Sequence, residues 1–436
     1  MNWRLGSNAG TAGIASASGE TPAIGGGVAP VPGSRLPGGS RMSRIRVCHL
    51  GKYYPPAAGG IESHVRTLAQ AQVDAGLAVE VAAINHEEGP TVVDYDGQIR
   101  ITRFGRSASL GKFDFTPDAA RGLARVEADI LHLHVPNPTM ILGLLAARPK
   151  IPTVVTYHSD LIRQKYLGMA FRPFERLAYR NVAAVMPTSP AYPGGSKFLR
   201  PYGDRLYVLP HGIDLSPYLD PSPGDQEKAA EIREKHASNG PLWLGAGRHV
   251  YYKGFLNAVR ALTRVSGKLI LVGGGPDQPL LKAEAERLGV ADRVIFPGNL
   301  PHYLDLVPYY LAADAFWFPS NARSEAFGLV QVEAMACACP VINTWIPHSG
   351  VSWVSLHEET GLTVPVDDPL ALADAANRII SEPGLRSRLG AAAKRRAIQE
   401  FDHRVMADRS LAIYDHVLTG AAIPQVSHRA AWSPSA

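Results

Sequence analysis

Short apolar stretches alternate with longer amphipathic stretches along most of the chain, and together they form two series. The first series lies within residues 44–213 and the second within residues 214–399. A Pro-rich stretch without periodicity, residues 217–224, marks the boundary between them. Strands that alternate with helices are typical of parallel sheets covered by helices. We therefore predict an α/β protein with two domains, which also suits a chain of 436 residues.

The predicted strands are rich in Val, Ile and Leu, and most of them end at Gly, Pro or a polar residue. In the first series they are Arg44–Leu50, Val79–Ala83, Ile99–Arg103, Asp129–Pro136, Ile151–Tyr157, Val182–Pro187 and Arg205–Leu209. In the second series they are Pro241–Ala246, Leu269–Val272, Ala315–Pro319 and Val341–Trp345. The predicted helices with the clearest periodicity or position are Ile61–Ala75, Leu256–Leu262, Ala371–Ile380 and Phe401–Val417.

Both ends of the chain lack the apolar residues that a core requires. We predict disordered tails at residues 1–43, which are rich in Gly, Ala, Ser and Pro, and at residues 420–436. Met42 stands just before the first predicted strand, which favours a translation start later than Met1. No apolar run reaches the length of a membrane span.

Charge and cysteine content narrow the functional classes. The formal charge of +5 and the pI near 9.0 suggest an anionic partner or an acidic membrane surface, and they do not by themselves indicate nucleic acid. Cys48, Cys337 and Cys339 lack metal-ligand spacing, and we expect the last two inside one helix. A disulfide framework is not predicted, so the composition fits a cytoplasmic protein.

The most informative stretch of the sequence, Ser324–Ile342, contains two glutamates. Glu325 follows a predicted strand and Glu333 lies about two helical turns further on, so both can face one crevice at the carboxyl edge of a parallel sheet. The alternative is structural: Glu325 caps the helix and Glu333 is solvated.

In each series, a glycine-containing loop follows the first predicted strand. Gly59 and Gly60 precede a helix, where backbone N–H groups can meet a phosphate, although a plain turn remains the alternative. Arg248 and Lys253 lie in the loop after Pro241–Ala246 and combine a planar fork with a compact charge, a pair suited to a diphosphate. Surface solvation is the alternative for this pair.

Two short motifs contain residues that could bind a metal ion. His132 and His134 share one side of their strand, but the sequence suggests no third ligand nearby. Asp94 and Asp96 spell D-x-D just before Gly97, and we interpret this as a hairpin turn. We therefore predict no metal site.

Basic and aromatic residues alternate from Leu161 to Arg180, with Glu175 as the single acid. This composition favours contact with anionic lipid at a membrane surface, whereas a solvated basic face over core aromatics is the alternative.

Taken together, these motifs resemble the retaining glycosyltransferases of family 4. Glu325 and Glu333, with seven residues between them, are similar to the family's E-x7-E signature. Further matches are Y-Y-P-P-x-x-G-G-I-E at residues 53–62, H-x-H-x-P at 132–136, P-x-G-[IV]-D at 210–214, G-R-x-x-x-x-K-G at 247–254 and V-G-x-G-P at 272–276. Ser349-Gly350 stands where members often have Gly-Gly, and the resemblance covers about Arg44 to Thr419.

The resemblance implies the GT-B fold, in which two Rossmann-like, doubly wound parallel-sheet domains face each other across a cleft. It implies an acceptor-binding first domain (44–213), a nucleotide-sugar-binding second domain (214–399) and a terminal helix at about 400–419 that packs back on the first. It also implies a retaining transfer with neither metal nor cofactor. The run T-Y-H-S-D-L-I-R-Q-K and the Tyr-Tyr before Lys253 resemble members that use GDP-mannose and polyprenyl-diphosphate-linked acceptors.

Residue roles follow from the same resemblance. The implied donor-binding residues are Gly59, Gly60, Arg248, Lys253, Gly274, Asn299, Glu325, Phe327, Gly328, Leu329 and Glu333. The implied acceptor-binding residues are His134, Tyr157, His158, Asp160 and Lys165. The expected catalytic residues are His134, Arg248, Lys253 and Glu325.

Other activities remain open at this point. A UDP-sugar-dependent member with a different acceptor and a nucleotide-sugar epimerase on the same scaffold both fit the motifs. Two carboxylates also suit glycoside hydrolysis, but a hydrolase has no need of a diphosphate clamp. A binding module without activity would not need Arg248, Lys253, Glu325 and Glu333 together. We expect a cytoplasmic enzyme, peripheral on the inner membrane, that does not bind nucleic acid.

Overall fold

The computed structural model describes residues 45–57, 59–110, 113–158, 165–237 and 240–423, and for residues 110, 113 and 165–170 it describes the backbone alone. The tail predicted at residues 1–43 lies outside the described residues, as do Asp160 and all but residues 420–423 of the tail predicted at residues 420–436.

The first domain contains a seven-stranded sheet. Its order is β3-β4-β2-β1-β7-β8-β9, and all neighbours are parallel except β3 and β4. The strands of this domain are β1 Arg46–Leu50, β2 Ala78–Ile84, β3 Val92–Asp96, β4 Ile99–Phe104, β5 Ala108–Leu110, β6 Phe113–Phe115, β7 Ile130–Val135, β8 Thr153–Tyr157 and β9 Ala184–Pro187. Its helices are α1 Gly60–Asp74, α2 Ala119–Leu123, α3 Pro138–Ala147, α4 Lys165–Tyr179 and α5 Tyr192–Gly195.

The second domain contains a six-stranded parallel sheet in the order β12-β11-β10-β13-β14-β15. Its strands are β10 Leu242–Ala246, β11 Lys268–Val272, β12 Val294–Gly298, β13 Ala315–Phe318, β14 Val341–Trp345 and β15 Gly361–Pro365. The helices of this half are α6 Ser216–Leu219, α7 Pro223–Ala237, α8 Phe255–Ala261, α9 Gln278–Arg287, α10 Val307–Ala312, α11 Leu329–Ala336, α12 Val351–Val354, α13 Pro369–Ser381, α14 Leu385–Phe401 and α15 His403–Thr419.

Each sheet reverses its winding direction once. In the first sheet the chain winds outward from β1 through β2 and then returns to the other side of β1 at β7. In the second sheet the same reversal separates β10 from β13. Crevices outside the carboxyl ends of such strand pairs are where open α/β sheets bind ligands. The topology therefore places one crevice after β1 and β7 and another after β10 and β13.

Alternation along the strands divides each core into two layers. In β7, Leu131 and Leu133 pack into the layer that contains Tyr157, whereas Ile130 packs into the opposite layer. His132 and His134 lie on the same face as Ile130, because successive side chains of a strand point to opposite faces. The second sheet is covered in the same way by two apolar layers.

The terminal helix α15 packs on the first domain. Met406, Leu411 and Tyr414 are buried with Val65 and Leu68 of α1. The chain crosses between the domains where the Ile213 N–H donates to the Phe401 carbonyl and the His403 N–H donates to the Ile213 carbonyl.

Several local predictions need correction. Arg205–Leu209 is not a strand, because only an isolated bridge joins Val185 to Leu206. The boundary segment 217–224 is partly helical, since it contains parts of α6 and α7. Cys337 caps the end of α11 and Cys339 follows it, so both thiols do not lie inside one helix.

Both aspartates of the D-x-D segment are ion-paired with arginines. β3 and β4 form the predicted hairpin, in which Asp94 pairs with Arg103 at 3.0 Å and Asp96 pairs with Arg66 at 2.7 Å.

Within the described ranges, no helix combines the length and the apolar character that crossing a membrane requires.

Candidate active site

A buried ion pair lies at the reversal point of the second sheet. Lys253 Nζ is 2.6 Å from Glu325 Oε2, and the two side chains are only 12% and 11% exposed. Lys253 follows β10 and Glu325 follows β13, so the topology brings together two residues far apart in sequence. Gly247 leaves room for the lysine, because a Cβ there would lie 3.3 Å from Lys253 Cε. The structure thus joins two of the expected catalytic residues directly.

Glu333 lies nearby on α11, in a partly buried position. Its Oε2 accepts a 2.9 Å hydrogen bond from the Tyr310 hydroxyl. Burial raises the pKa of this carboxyl from 4.5 to about 7, although the Tyr310 hydrogen bond and the charge of Lys253 act in the opposite direction. Glu333 therefore changes its charge near neutral pH, and it is not the solvated residue of the structural alternative.

A glycine sets the start of α11. Gly328 has φ +80°, and a Cβ at this position would lie 2.6 Å from the Phe318 ring. Gly328 therefore allows the chain to turn tightly and expose the N-terminal N–H groups of α11, beginning at Leu329, beside Glu325. The Gly350 N–H donates to the Ala326 carbonyl at 2.8 Å. This hydrogen bond stabilises the loop between β13 and α11, which carries Glu325 and which we call the glutamate loop.

The other residues that we expect to bind the sugar donor lie in different environments. Arg248 is exposed and makes neither an ion pair nor a hydrogen bond with any residue in the described ranges. Gly274 adjoins Asn299, whose amide atoms lie 3.4 Å from the position of a Gly274 Cβ. The Phe327 side chain is 3% exposed and packs on His211 and Phe401, so a donor contact from Phe327 would come from its backbone.

Gly59 and Gly60 are exposed at the N-terminus of the 15-residue helix α1. No atom of the described part of the chain lies within 4 Å of a Cβ at Gly60, so the backbone there is open to an approaching ligand.

Six buried histidines gather at the reversal point of the first sheet. They are His49, His64, His132, His134, His158 and His211. His134 Nε2 is 2.9 Å from His49 Nδ1, and His134 Nδ1 is 3.3 Å from His158 Nε2. Burial lowers the pKa of every one of these rings below 6.5, to about 4 for His49 and His211. The rings are therefore neutral at neutral pH.

The expectation that His132 and His134 have no third ligand nearby was wrong. Their strand lies beside β1, which brings in His49, while α1 and the loop after β8 bring in His64 and His158. Two histidine triads could hold a metal ion: His49, His132 and His134, and His64, His134 and His158. In the first triad the 2.9 Å contact between His49 and His134 is a hydrogen bond and needs a proton. In the second, the buried His64 Nε2 has no hydrogen-bond partner among the residues that the structure describes. The sequence could not show this convergence, because the histidines lie on four separate segments.

The remaining acceptor residues divide into three cases. Tyr157 does not lie with His134, because it points to the opposite face of the sheet from Thr156, whose hydroxyl is 2.6 Å from His132 Nε2. Its ring packs instead against Tyr192 and Phe198. Asp160 lies outside the described residues, and for Lys165 only the backbone is described.

The two crevices meet through aromatic contacts. The His211 and Phe327 ring centroids are 5.1 Å apart, and His211 stacks on His158 at 5.2 Å. Arg323, in the glutamate loop, donates a 2.7 Å hydrogen bond to the Gly195 carbonyl of the first domain. The histidine cluster and the Lys253–Glu325 pair therefore border a common region between the sheets.

Sequence reasoning missed several supporting residues. Tyr310, Gln72 and His211 carry no recognisable motif role, and the only available signal was the polar character of Gln72 on the buried face of α1. His211 lies within the P-x-G-[IV]-D match, so the motif gave its position but not its contacts.

Comparison with known proteins shows the family of the chain. The sequence profile described as "Glycosyltransferase Family 4" matches residues 58–217, and "Glycosyl transferases group 1" matches residues 228–396. The chain is 31% identical over 380 residues to O-antigen chain mannosyltransferase C of Escherichia coli, a match that covers 86% of this chain and 99% of the relative. It is 32% identical over 360 residues to D-rhamnosyltransferase WbpZ of Pseudomonas aeruginosa, with coverage of 82% and 92%.

Solved structures show the same fold. Sucrose-phosphate synthase from Thermosynechococcus elongatus superimposes with a TM-score of 0.68 at 23% identity, covering 87% of this chain and all of that one (100%). WaaG, a glycosyltransferase involved in lipopolysaccharide biosynthesis, gives a TM-score of 0.60 at 19% identity, with coverage of 86% and 100%. With two parallel-sheet domains, both profiles matched in order and a relative aligned over almost its whole length, the chain belongs to the GT-B glycosyltransferases of family 4.

Proposed function

We propose that this glycosyltransferase transfers mannose from GDP-mannose, with retention of configuration, to a glycan acceptor linked to polyprenyl diphosphate. The observation that supports this most is the Lys253–Glu325 pair at the reversal point of the second sheet, with Glu333 beside it. The cation can bind the diphosphate of a nucleotide-sugar. The two carboxylates can accept hydrogen bonds from the hydroxyls of its sugar and of its ribose.

The proposed reaction needs charge stabilisation more than a nucleophile. The bond between the sugar's anomeric carbon and the β-phosphate oxygen breaks, and the acceptor oxygen bonds to that carbon on the same face. The departing β-phosphate oxygen takes the proton of the acceptor hydroxyl. Lys253, Arg248 and the N–H groups at the start of α11 and α1 stabilise the charge that develops on the phosphate.

The two glutamates take different parts of the donor in this proposal. Glu333 accepts hydrogen bonds from the ribose hydroxyls. Glu325 accepts hydrogen bonds from the sugar hydroxyls and stabilises positive charge at the anomeric carbon. Because Lys253 is paired with Glu325 in the structure, the phosphate must share or replace that contact when the donor enters. His134 orients the acceptor or the donor sugar, and no step requires a metal.

The choice of donor is supported by two relatives whose names specify sugars. One is described as a mannosyltransferase and the other as a D-rhamnosyltransferase. D-Rhamnose is 6-deoxymannose, so the two sugars differ only in the hydroxyl at carbon 6. We therefore propose a pocket for a manno-configured hexose and expect GDP to raise the thermal midpoint more than UDP or ADP.

A labelled donor separates transfer from the other activities. The protein is incubated with GDP-[14C]mannose and a polyprenyl-diphosphate oligosaccharide. A labelled lipid product supports the proposal if an α-mannosidase releases the label from it as mannose. Free mannose alone indicates a hydrolase and an isomerised donor indicates an epimerase. Efficient transfer from a UDP-sugar but not from GDP-mannose contradicts the donor assignment.

The exposed face of α4 supports a lipid-linked acceptor. Phe174 and Leu177 are 47% and 57% exposed, Arg172 and Arg176 are exposed on the same helix, and Arg180 is exposed just after its C-terminal end. Glu175, the single acid of the segment, is buried. Apolar side chains flanked by arginines suit the interface of an anionic bilayer.

Vesicle flotation tests the membrane proposal. We expect the native protein to float with phosphatidylglycerol vesicles and not with neutral phosphatidylcholine vesicles. The double variant Phe174→Ser with Leu177→Ser should reduce flotation by at least about fivefold, because the small polar serine side chains would not insert into the bilayer. Leu280→Ser, at a position 55% exposed on α9, is the matched control. Equal flotation of all three proteins would contradict membrane contact through α4.

A further inference from the structure

A hydrogen-bonded chain of buried side chains connects the cleft with the terminal helix. It begins at Ser410 and Tyr414 of α15, passes through Gln72 of α1 and His49 of β1, and reaches His134 of β7. Gln72, His49, His134 and Ser410 are each no more than 1% exposed, so solvent cannot compete for their hydrogen bonds. None of the motifs in the sequence assigns a role to Gln72 or His49.

Ser410 fixes the orientation of the Gln72 amide. The Ser410 hydroxyl donates its proton to the Ala407 carbonyl at 2.7 Å, so towards Gln72 it can only accept. The group 2.9 Å away must therefore be the Gln72 NH2, which also donates to the Tyr414 hydroxyl at 3.0 Å. The amide oxygen then faces His49 Nε2 at 2.7 Å.

The amide orientation determines the position of each proton along the chain. An amide oxygen only accepts, so His49 carries its proton on Nε2 and leaves a lone pair on Nδ1. His134 Nε2, 2.9 Å from that lone pair, must donate. A neutral His134 therefore has its lone pair on Nδ1, which faces His158 Nε2 at 3.3 Å. Deep burial, which disfavours the charged rings, keeps all three histidines in this neutral pattern.

We propose that Gln72 and His49 are positioning residues that hold His134 in the Nε2–H tautomer, so that Nδ1 acts as a hydrogen-bond acceptor on the cleft side. In this arrangement His158 donates from Nε2 and keeps its own Nδ1 as an acceptor. The same chain makes the tautomer depend on α15, because Ser410 holds the amide. The tautomer follows from the hydrogen bonds alone, whereas its effect on turnover rests on the proposed function.

Two substitutions at Gln72 separate the role of the amide from packing. In Gln72→Glu the carboxylate stabilises a proton on both nitrogens of His49, which then donates to His134 Nε2 and moves the His134 proton to Nδ1. Gln72→Met keeps a similar volume without polar atoms, so it leaves the His49 tautomer undirected. Ser410→Ala removes the group that orients the amide and is a third variant in case the carboxylate prevents folding.

Long-range 1H–15N spectra of the full-length protein labelled at histidine report the tautomer directly. The His134 signals are identified by their loss in His134→Gln. We expect the Nε2–H pattern in the native protein, the Nδ1–H pattern in Gln72→Glu and a mixture in Gln72→Met and in Ser410→Ala. An Nδ1–H pattern in the native protein, or an unchanged pattern in all three variants, overturns the proposal.

Kinetics test whether the tautomer matters for transfer. We expect Gln72→Glu to lower kcat by at least about tenfold with the donor KM nearly unchanged, because the reacting groups and not the donor contacts are affected. Gln72→Met should show a smaller loss. A changed tautomer with unchanged kcat overturns the positioning role. If the native protein transfers no sugar, the proposed function fails, and the spectra still decide the tautomer.

Discussion

Replacement of Lys253 separates the stability of the site from its chemistry. In Lys253→Ala the Glu325 carboxylate, 11% exposed, loses the ammonium group that lies 2.6 Å from it. Breaking a buried ion pair by removing one partner costs about 3–5 kcal/mol. Because both side chains keep some contact with water, we expect about 3 kcal/mol, or a thermal midpoint lower by about 5–10 °C.

The expected loss of activity has a different origin. A preorganised donor to a developing oxyanion contributes about 3–4 kcal/mol, so the turnover of Lys253→Ala should fall by about two to three orders of magnitude. Turnover is measured as GDP release at saturating donor and acceptor, and stability as the thermal midpoint of the empty protein.

The double variant Lys253→Ala with Glu325→Gln distinguishes the two effects. Removing the carboxylate charge should restore most of the thermal midpoint, because no buried charge is left unpaired, while turnover stays low. Lys282→Ala, at an exposed lysine of the same domain, is the matched control and should behave as the native protein. Turnover of Lys253→Ala within about fivefold of the native value would refute the phosphate role of the lysine.

Three further predictions concern neighbouring residues. The pKa of Glu333, raised from 4.5 to about 7, means that the folded state holds the extra proton, so stability falls as pH rises through this window. Relative to the native protein, Glu333→Gln should therefore gain up to about 3 kcal/mol between pH 5 and pH 8, and an equal pH dependence of unfolding would contradict the assignment. Arg248→Ala should leave the thermal midpoint unchanged, because Arg248 is exposed and unpaired among the described residues, yet lower kcat/KM at least about tenfold; unchanged kcat/KM would remove Arg248 from the phosphate site. Gly328→Ala should lower the thermal midpoint by several degrees, because its Cβ would lie 2.6 Å from Phe318 at φ +80°; an unchanged midpoint would show that the loop accommodates the methyl group.

The parts of the site that follow single strands could be predicted from the sequence. The loops that carry Lys253 and Glu325 each continue directly from a buried strand, and parallel strands bring their carboxyl ends to one edge. The motif order then indicated the two-domain fold. What the sequence could not give was the direct pairing of Lys253 with Glu325, which depends on β10 and β13 being neighbours in the sheet.

The histidine cluster shows the limit of local reasoning. His132 and His134 were recognisable as a pair, but His49, His64, His158 and His211 reach them only through strand order and helix packing. Tyr157 illustrates a different failure, because its neighbour His158 lies in the cluster while alternation turns Tyr157 into the opposite core layer. In the same way, Arg205–Leu209 is apolar enough for a strand, yet only one bridge connects it to β9.

A crystal structure of the complex with GDP would show whether the donor diphosphate binds at Lys253. We expect the nucleotide at the carboxyl edge of the second sheet, with the β-phosphate in hydrogen-bond contact with Lys253 Nζ and the ribose hydroxyls on the Glu333 carboxylate. A nucleotide bound elsewhere, or one whose phosphates leave Lys253 in contact with Glu325 alone, would contradict it.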